Sequence, residues 1–231
     1  MGDNILLLVR FRIGGRLRFL SHAETLRVFQ RACVRAGVRM QYTEGFNPHP
    51  KLSLPLPRAV GVESDDELLS LRAYAEDGAK VPEKVCASVK ENLSAQLPQG
   101  CDIISVDIAR AKTSFQPRMV SYVLPLQKDC ISEGFNARIE QLLAAESLTL
   151  DRRTDEKGST RKVDVRAFLV SIELGDNCII VECKVTSAGT IRVDEILELM
   201  DINIDELAAP VRRRNVQWQE TEYGRQNNSD S

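Results

Sequence analysis

The chain has 231 residues, which at roughly 100 to 200 residues per domain allows one large domain or two small ones. With 43% hydrophobic and 28% charged residues it has the composition of an ordinary globular protein, which excludes a disordered or collagenous chain, and no run approaches the ~18 apolar residues of a membrane-spanning helix. The formal net charge of −2 conceals an asymmetry: residues 1–58 hold ten Lys/Arg against three Asp/Glu, a net of +7, whereas residues 59–110 come to −5, 111–160 to zero and 161–231 to −4.

In chain order, residues 5–12 read as a strand with Leu7, Val9 and Phe11 on one side and Arg10 and Arg12 on the other, broken by Gly14-Gly15. Ser21-His22-Ala23-Glu24 has the spacing of a capping box and starts a helix, with Leu26, Phe29, Cys33 and Ala36 on its buried face and Gly37 as its C-terminal stop. Val38, Met40 and Tyr42 alternate as in a half-buried strand, which puts Tyr42 in the core. Glu44-Gly45-Phe46-Asn47-Pro48-His49-Pro50-Lys51 cannot continue a ladder through two prolines and forms a shaped loop. A strand over 67–74, a helix opened by Pro82 with Val85, Val89 and Leu93 inward, and a strand over 103–108 complete the order β-α-β-β-α-β.

Residues 109–117 read as a linker. Beyond it come a strand near 119–126, a helix near 133–145, a strand near 147–151, a mobile polar stretch over 152–162, a half-exposed strand in which Ile179, Val181, Cys183 and Val185 alternate with Ile180, Glu182 and Lys184, a helix over 194–200 and a strand over 211–218. The expected fold is therefore α+β, two ferredoxin-like domains in tandem with the second irregular. Their expected bounds are 1–110 and 111–220, followed by a disordered tail over 221–231. Glu-Gly-Phe-Asn occurs at 44 and again at 133, in different settings, and is read as coincidence.

The six cysteines, at 33, 86, 101, 130, 178 and 183, contain no C-x-x-C pair, so they read mostly as small buried hydrophobes. No P-loop, G-x-G-x-x-G or H-E-x-x-H is present, and no cofactor or metal is expected. Met1-Gly2-Asp3-Asn4-Ile5 lacks the basic and apolar segments of a secretion signal, which makes the cytoplasm the expected location.

The chemistry-bearing residues cluster early. Arg27, Arg31 and Arg35 form an i, i+4, i+8 stripe on the first helix, and Arg10, Arg12, Arg16, Arg18, Arg39 and Lys51 flank it. Arginine offers bidentate donors to phosphate and a plane that stacks on bases, so the segment suits RNA. A solvated helix face is the competing reading of the same stripe. Phe46 is a stacking platform for an unpaired base. Both histidines of the chain, His22 and His49, adjoin this region, and either could act as general acid or base if Glu24 or Glu44 oriented it. Arg212-Arg213-Arg214 would point Arg213 away from its neighbours.

Arg18-Phe19-Leu20-Ser21-His22, Phe29-Gln30-Arg31-Ala32, the run Tyr42-Thr43-Glu44-Gly45-Phe46-Asn47-Pro48-His49-Pro50-Lys51-Leu52-Ser53 and Gly61-Val62-Glu63-Ser64 resemble the radical SAM-linked protein family. That domain of unknown function occurs alone or fused after a B12-binding-type radical SAM protein. The resemblance implies an accessory role in a modification pathway, with the radical chemistry on the partner. Ser21, His22, Glu44, Asn47, His49 and Lys51 are the motif residues carried over; here the acid after the Ser-His pair is Glu24, with Ala23 directly after the histidine. The expected function is a noncatalytic accessory protein that binds tRNA or rRNA through Arg10, Arg12, Arg16, Arg18, Ser21, His22, Arg27, Arg31, Arg35, Phe46, Asn47, His49 and Lys51. The alternatives are a subunit docking on a radical SAM enzyme, and an RNA-processing enzyme using His22 or His49.

Overall fold

A computed structural model of the chain describes residues 4–75, 82–128, 134–153 and 159–222. The architecture is α+β, and its contacts form two compact units, Met1–Gln116 with Trp218–Ser231, and Pro117–Gln217. The first unit thus reaches past the boundary expected after residue 110 and also takes in the end of the chain's last strand.

In the first unit β1 (Asn4–Ile13) pairs antiparallel with both β3 (Glu63–Tyr74) and β4 (Cys101–Ala109), and the two-residue β2 (Leu52–Ser53) pairs antiparallel with β3. The order across this part of the sheet is β4-β1-β3-β2. Alternation along β1 supplies both of its faces. Leu7, Val9, Phe11 and Ile13 enter the main core with Leu69, Leu71 and Ala73 of β3, while Leu6 and Leu8 join Leu68, Phe115 and Trp218 on the other face.

The helices α1 (His22–Arg35) and α2 (Pro82–Ser94) cover the main core. The capping box closes α1 as the sequence predicts: the Ser21 hydroxyl accepts from the Glu24 N–H at 3.3 Å, and the Glu24 carboxylate accepts from the Ser21 N–H at 2.8 Å. Gly37, at φ +73, supplies the left-handed residue just beyond the helix. Phe29 lies against Phe11 with ring centroids 4.5 Å apart and is fully buried, so truncating it to alanine would cost about 3–5 kcal/mol.

Several expectations give way. Residues 38–42 form no strand: Met40 bridges Ala73 and Tyr42 bridges Pro50 as isolated pairs. The alternation fails because Met40 and Gln41 are both buried, which turns Tyr42 out to 43% exposure rather than into the core. Gln41 is buried at no net loss because its side-chain nitrogen donates to Asn4 Oδ1 and to the Ala73 carbonyl. The strand expected over 67–74 starts at Glu63, its early acids being held by the ladder to β1 and, at Asp66, by Arg10 at 2.8 Å. The linker expected over 109–117 is a short connection, since β4 runs to Ala109 and β5 (Thr113–Pro125) begins at Thr113. Of the tail expected over 221–231, Thr221 and Glu222 end the strand β10 (Arg212–Glu222), and 223–231 lie outside the described residues. Trp218, the chain's one tryptophan, packs in the Leu6–Leu8–Leu68 cluster with its indole N–H buried and, among the described residues, without an acceptor.

In the second unit β5 pairs antiparallel with β9 (Cys178–Lys184), which pairs with β8 (Leu169–Leu174). Ile179, Val181 and Cys183 are buried, as their alternation requires. The helices here are α3 (Gly134–Ala144) and α4 (Val193–Met200). The strand expected near 147–151 does not join the sheet: β6 (Thr149–Arg153) forms a separate hairpin with β7 (Thr160–Asp164). The stretch expected to be mobile over 152–162 therefore has its ends in strands, with 154–158 outside the described residues. The sequence reading contains no counterpart to β8, because Ser171 and Glu173 interrupt its apolar residues. Arg213 is buried with its guanidinium 5.9 Å from the Tyr122 ring centre, and Arg212 and Arg214 are exposed, as alternation along β10 predicts.

Arg152 of β6 crosses to Glu195 of α4 in a bidentate pair at 2.6 and 2.7 Å, with side-chain exposures of 12% and 6%. Burial would push the Glu195 carboxyl up, but hydrogen bonds from Arg152 and from the Arg192 N–H hold it below its ordinary value of 4.5. The contribution is therefore complete above the unfolded value and is lost as pH falls through the folded one. At pH 7 the Glu195→Gln variant should be less stable than the wild type by about 3 kcal/mol. Urea unfolding followed from pH 7 down to pH 3 should show that difference narrowing as the wild-type carboxyl takes up its proton; a gap independent of pH would refute the assignment.

Candidate functional site

Loop 41–51 is a hairpin rooted on the sheet. The Thr43 N–H donates to the His49 carbonyl at 2.8 Å, the His49 N–H to Thr43 Oγ1 at 2.9 Å, and the Lys51 N–H to the Gln41 carbonyl at 2.7 Å. Arg72 of β3 anchors its foot: the Arg72 carbonyl accepts from the Gln41 N–H and the Arg72 N–H donates to the Lys51 carbonyl. Gly45, at φ +116, makes the turn that no side-chain-bearing residue would make without strain. Glu44, Phe46, Asn47 and His49 are all exposed, and the Phe46 ring stands wholly in solvent.

At the foot of the hairpin a cleft of about 1010 Å³ opens on the sheet face opposite α1 and α2. Lys51, Arg72 and Lys112 bring positive charge to it. Thr43, Ser53, Ser70, Thr113 and Ser114 bring hydroxyls, and Leu6, Leu52 and Phe115 form apolar wall. Among the described residues no Asp or Glu lines it. Sequence reasoning reached Lys51 and missed Arg72, Ser70, Lys112 and Ser114. Ser70 and Arg72 become neighbours of the hairpin only through pairing of β3 with β2, where Ser53 and Ser70 face each other with hydroxyls 2.9 Å apart. Lys112 stood in the supposed linker.

The arginines do not form one patch. Arg10 and Arg12 alternate with the core residues of β1 and so share the face of Leu6 and Leu8, whereas Arg27, Arg31 and Arg35 are exposed on α1, which covers the other face. Arg35 donates to the Gln96 carbonyl at 3.0 Å. Arg16 is exposed in the 3-10 turn Gly15–Phe19, where Arg18 donates to the Gly15 carbonyl and stacks 4.3 Å over Phe19. Arg58 is structural: its guanidinium reaches the carbonyls of Leu17, Arg18, Leu20, Ala59 and Val62.

Among the described residues no acid is hydrogen-bonded to either histidine side chain. Glu24 is engaged by Ser21, whose hydroxyl and N–H both donate to its carboxylate and hold it below the usual carboxylate range. His22 borders a cavity of about 10 Å³ between Phe11, Leu54 and Arg58, no larger than a single water. Glu44 and His49 are exposed in the hairpin, with no hydrogen bond between their side chains. Burial pushes the thiols of Cys33, Cys101 and Cys183 up to about 12, so these are packing residues; Cys86 and Cys178 are half-buried, and Cys130 lies outside the described residues. Among the described residues no group of His, Cys, Asp and Glu is placed to hold a metal ion, and no helix is long and apolar enough to cross a membrane.

Over residues 7–194 the chain matches the family described as "Uncharacterized protein conserved in bacteria (DUF2344)". It belongs to that family. No curated protein matches it. Among solved structures it is similar to a chain of the "Crystal Structure of a Cbf5-Nop10-Gar1 Complex", at 10% identity and a TM-score of 0.40, over 91% of this chain and 48% of that one. The chain thus spans about half the length of that relative. A second similarity is to the "Crystal Structure of an Unknown Protein from Galdieria sulphuraria", at 13% identity and a TM-score of 0.27, over 95% of this chain and 99% of the other.

The hydrogen bond from the His49 N–H to Thr43 Oγ1 is one of the two that hold the hairpin's sides at that level. Thr43→Val should therefore speed hydrogen exchange at the His49 amide several-fold while lowering global stability by about 1 kcal/mol or less. NMR-detected exchange checks this, and unchanged protection at His49 would mean that the hydroxyl does not hold the loop.

Proposed function

We propose that this family member is a noncatalytic RNA-binding accessory protein that grips RNA through the exposed hairpin and the cationic cleft at its foot. The observation that carries the reading is the Phe46 ring, fully in solvent at the tip of a hydrogen-bonded hairpin, beside exposed Asn47 and His49 and above Lys51. A soluble surface gains nothing from an isolated exposed phenyl ring, whereas an unpaired base stacked on it covers apolar area on both partners. Lys51, Lys112 and Arg72 at the foot suit the phosphates that would follow such a base.

The α1 stripe is left out of this surface, because α1 lies across the sheet from the cleft. That stripe suits the docking alternative, in which the exposed Arg27, Arg31 and Val34 meet a protein partner. The motif resemblance supports a B12-binding-type radical SAM protein as that partner, and in this reading the radical chemistry is the partner's. The order β4-β1-β3-β2, with neighbouring strands antiparallel, supports a ferredoxin-like reading of the first unit.

Fluorescence anisotropy with total tRNA and with rRNA fragments tests the reading. Affinity should fall steeply between low and physiological salt as counterions are released. Phe46→Ala should cost about 1–3 kcal/mol of binding, and Lys51→Ala should weaken binding and flatten the salt dependence, whereas Arg31→Ala should leave it unchanged. Indifference to RNA at low salt, or a loss confined to Arg31→Ala, would overturn the assignment of this surface. A complex with a radical SAM enzyme that survives nuclease treatment would support the docking alternative.

A further inference from the structure

We propose that the cleft at the foot of the hairpin is a binding site for a nucleoside 5′-phosphate. The nucleotide could be free, which goes beyond the RNA reading, or it could be the phosphorylated end of an RNA, which rests on that reading.

The first support is charge selection. Residues 59–110 are acidic, at a net of −5, and β3 itself opens with Glu63, Asp65, Asp66 and Glu67, yet the part of β3 that meets the cleft presents Ser70 and Arg72. Among the described residues the cleft lining holds Lys51, Arg72 and Lys112 and no carboxylate. Beside the lining, Glu220 Oε1 accepts from Thr113 Oγ1 at 3.3 Å. A site for a cation or a basic peptide would have the opposite lining, and the exposed Lys51 and Lys112 add attraction for an anion.

The second support is preorganisation. The Arg72 guanidinium donates to the Ala111 carbonyl, which fixes its plane, and its backbone is held between Gln41 and Lys51. An arginine fork whose orientation is already set loses little freedom on meeting a phosphate and can donate in a paired geometry that a lysine cannot offer. The Ser53 and Ser70 hydroxyls, 2.9 Å apart, lie along the same floor as further donors.

The third support is shape. A volume of about 1010 Å³ exceeds what a lone inorganic anion needs and stands at the upper end of small-ligand sites. Leu6, Leu52 and Phe115 add apolar surface to the lining. Leu6 is the ladder partner of Arg72 and Leu52 follows Lys51 in the chain, so apolar and cationic surface stand side by side, as the weakly polar base and the charged phosphate of a nucleotide do.

Calorimetric titration of the whole chain with adenosine 5′-monophosphate, adenosine and inorganic phosphate, and then with an RNA hexamer bearing either a 5′-phosphate or a 5′-hydroxyl, tests the site. Lys112→Ala and Lys51→Ala are the variants of choice because both side chains are exposed and the fold does not depend on them. If the source is the free nucleotide, the monophosphate should bind at least about tenfold more tightly than adenosine, and Lys112→Ala should remove about tenfold. Arg31→Ala, on the other side of the sheet, should leave that affinity unchanged. If the source is an RNA end, the phosphorylated hexamer should bind about tenfold more tightly than its hydroxyl counterpart, with Lys112→Ala erasing the difference. Equal binding of both hexamers together with no preference for the monophosphate over adenosine would overturn the proposal, as would a preference that Lys112→Ala and Lys51→Ala both leave intact. Failure of the RNA reading has a different signature, namely monophosphate binding that persists when no RNA is bound at low salt.

Discussion

Everything in the first unit is organised by one constraint, the alternation of side chains along β1. Its odd-numbered residues from Leu7 to Ile13 must meet α1 and α2, so its even-numbered residues, Leu6, Leu8, Arg10 and Arg12, are delivered to the opposite face. The cleft follows from this choice, because Leu6 faces it and β3 sends Ser70 and Arg72 to the same side. So does the separation of the early arginines into two populations: a helix packed on one face of a sheet cannot share its solvent stripe with residues on the other. The +7 charge of residues 1–58 is real, but it is spread over two surfaces, with Arg58 turned inward onto five carbonyl groups.

The hairpin and the cleft form one mechanical assembly. Arg72 contributes its side chain to the cleft and its backbone to the hairpin's foot, so the position of Lys51 is fixed by the same residue that supplies the neighbouring charge. The two prolines flanking His49 leave the chain few alternatives between Gly45 and Lys51, and the paired hydrogen bonds of Thr43 and His49 close the loop above its root. Exposure of Glu44, Phe46, Asn47 and His49 is therefore a property of an ordered projection, with little ordering entropy left for a partner to supply.

Much of this was legible in the sequence where a local rule decides the outcome. Ser21 and Glu24 announce the start of α1 and Gly37 its end, the alternations in β1 and β9 give inward residues that are buried, and alternation in β10 sets Arg213 apart from Arg212 and Arg214 without saying which side is buried. Local rules failed where a long-range partner decides. Gln41 is buried because Asn4 and Ala73 satisfy its amide, and that contact expels Tyr42 from the position its periodicity implies. The polar character of Arg152 suggests a mobile segment, but Glu195, forty-three positions away, makes it a half-buried anchor. The candidate site was half legible: the motif string gave the hairpin and Lys51, while Arg72, Ser70 and Lys112 acquire meaning only from strand pairing and from the short β4–β5 connection.

The placement of Trp218 has a practical consequence. It is the sole indole chromophore of the chain, its N–H is sealed from water, and it packs in the same apolar cluster as Leu6 and Phe115, whose other sides wall the cleft. The protein consequently carries an intrinsic optical reporter in the apolar cluster that shares Leu6 and Phe115 with the cleft lining. Its emission wavelength and quenching by iodide register changes in that layer without any attached dye.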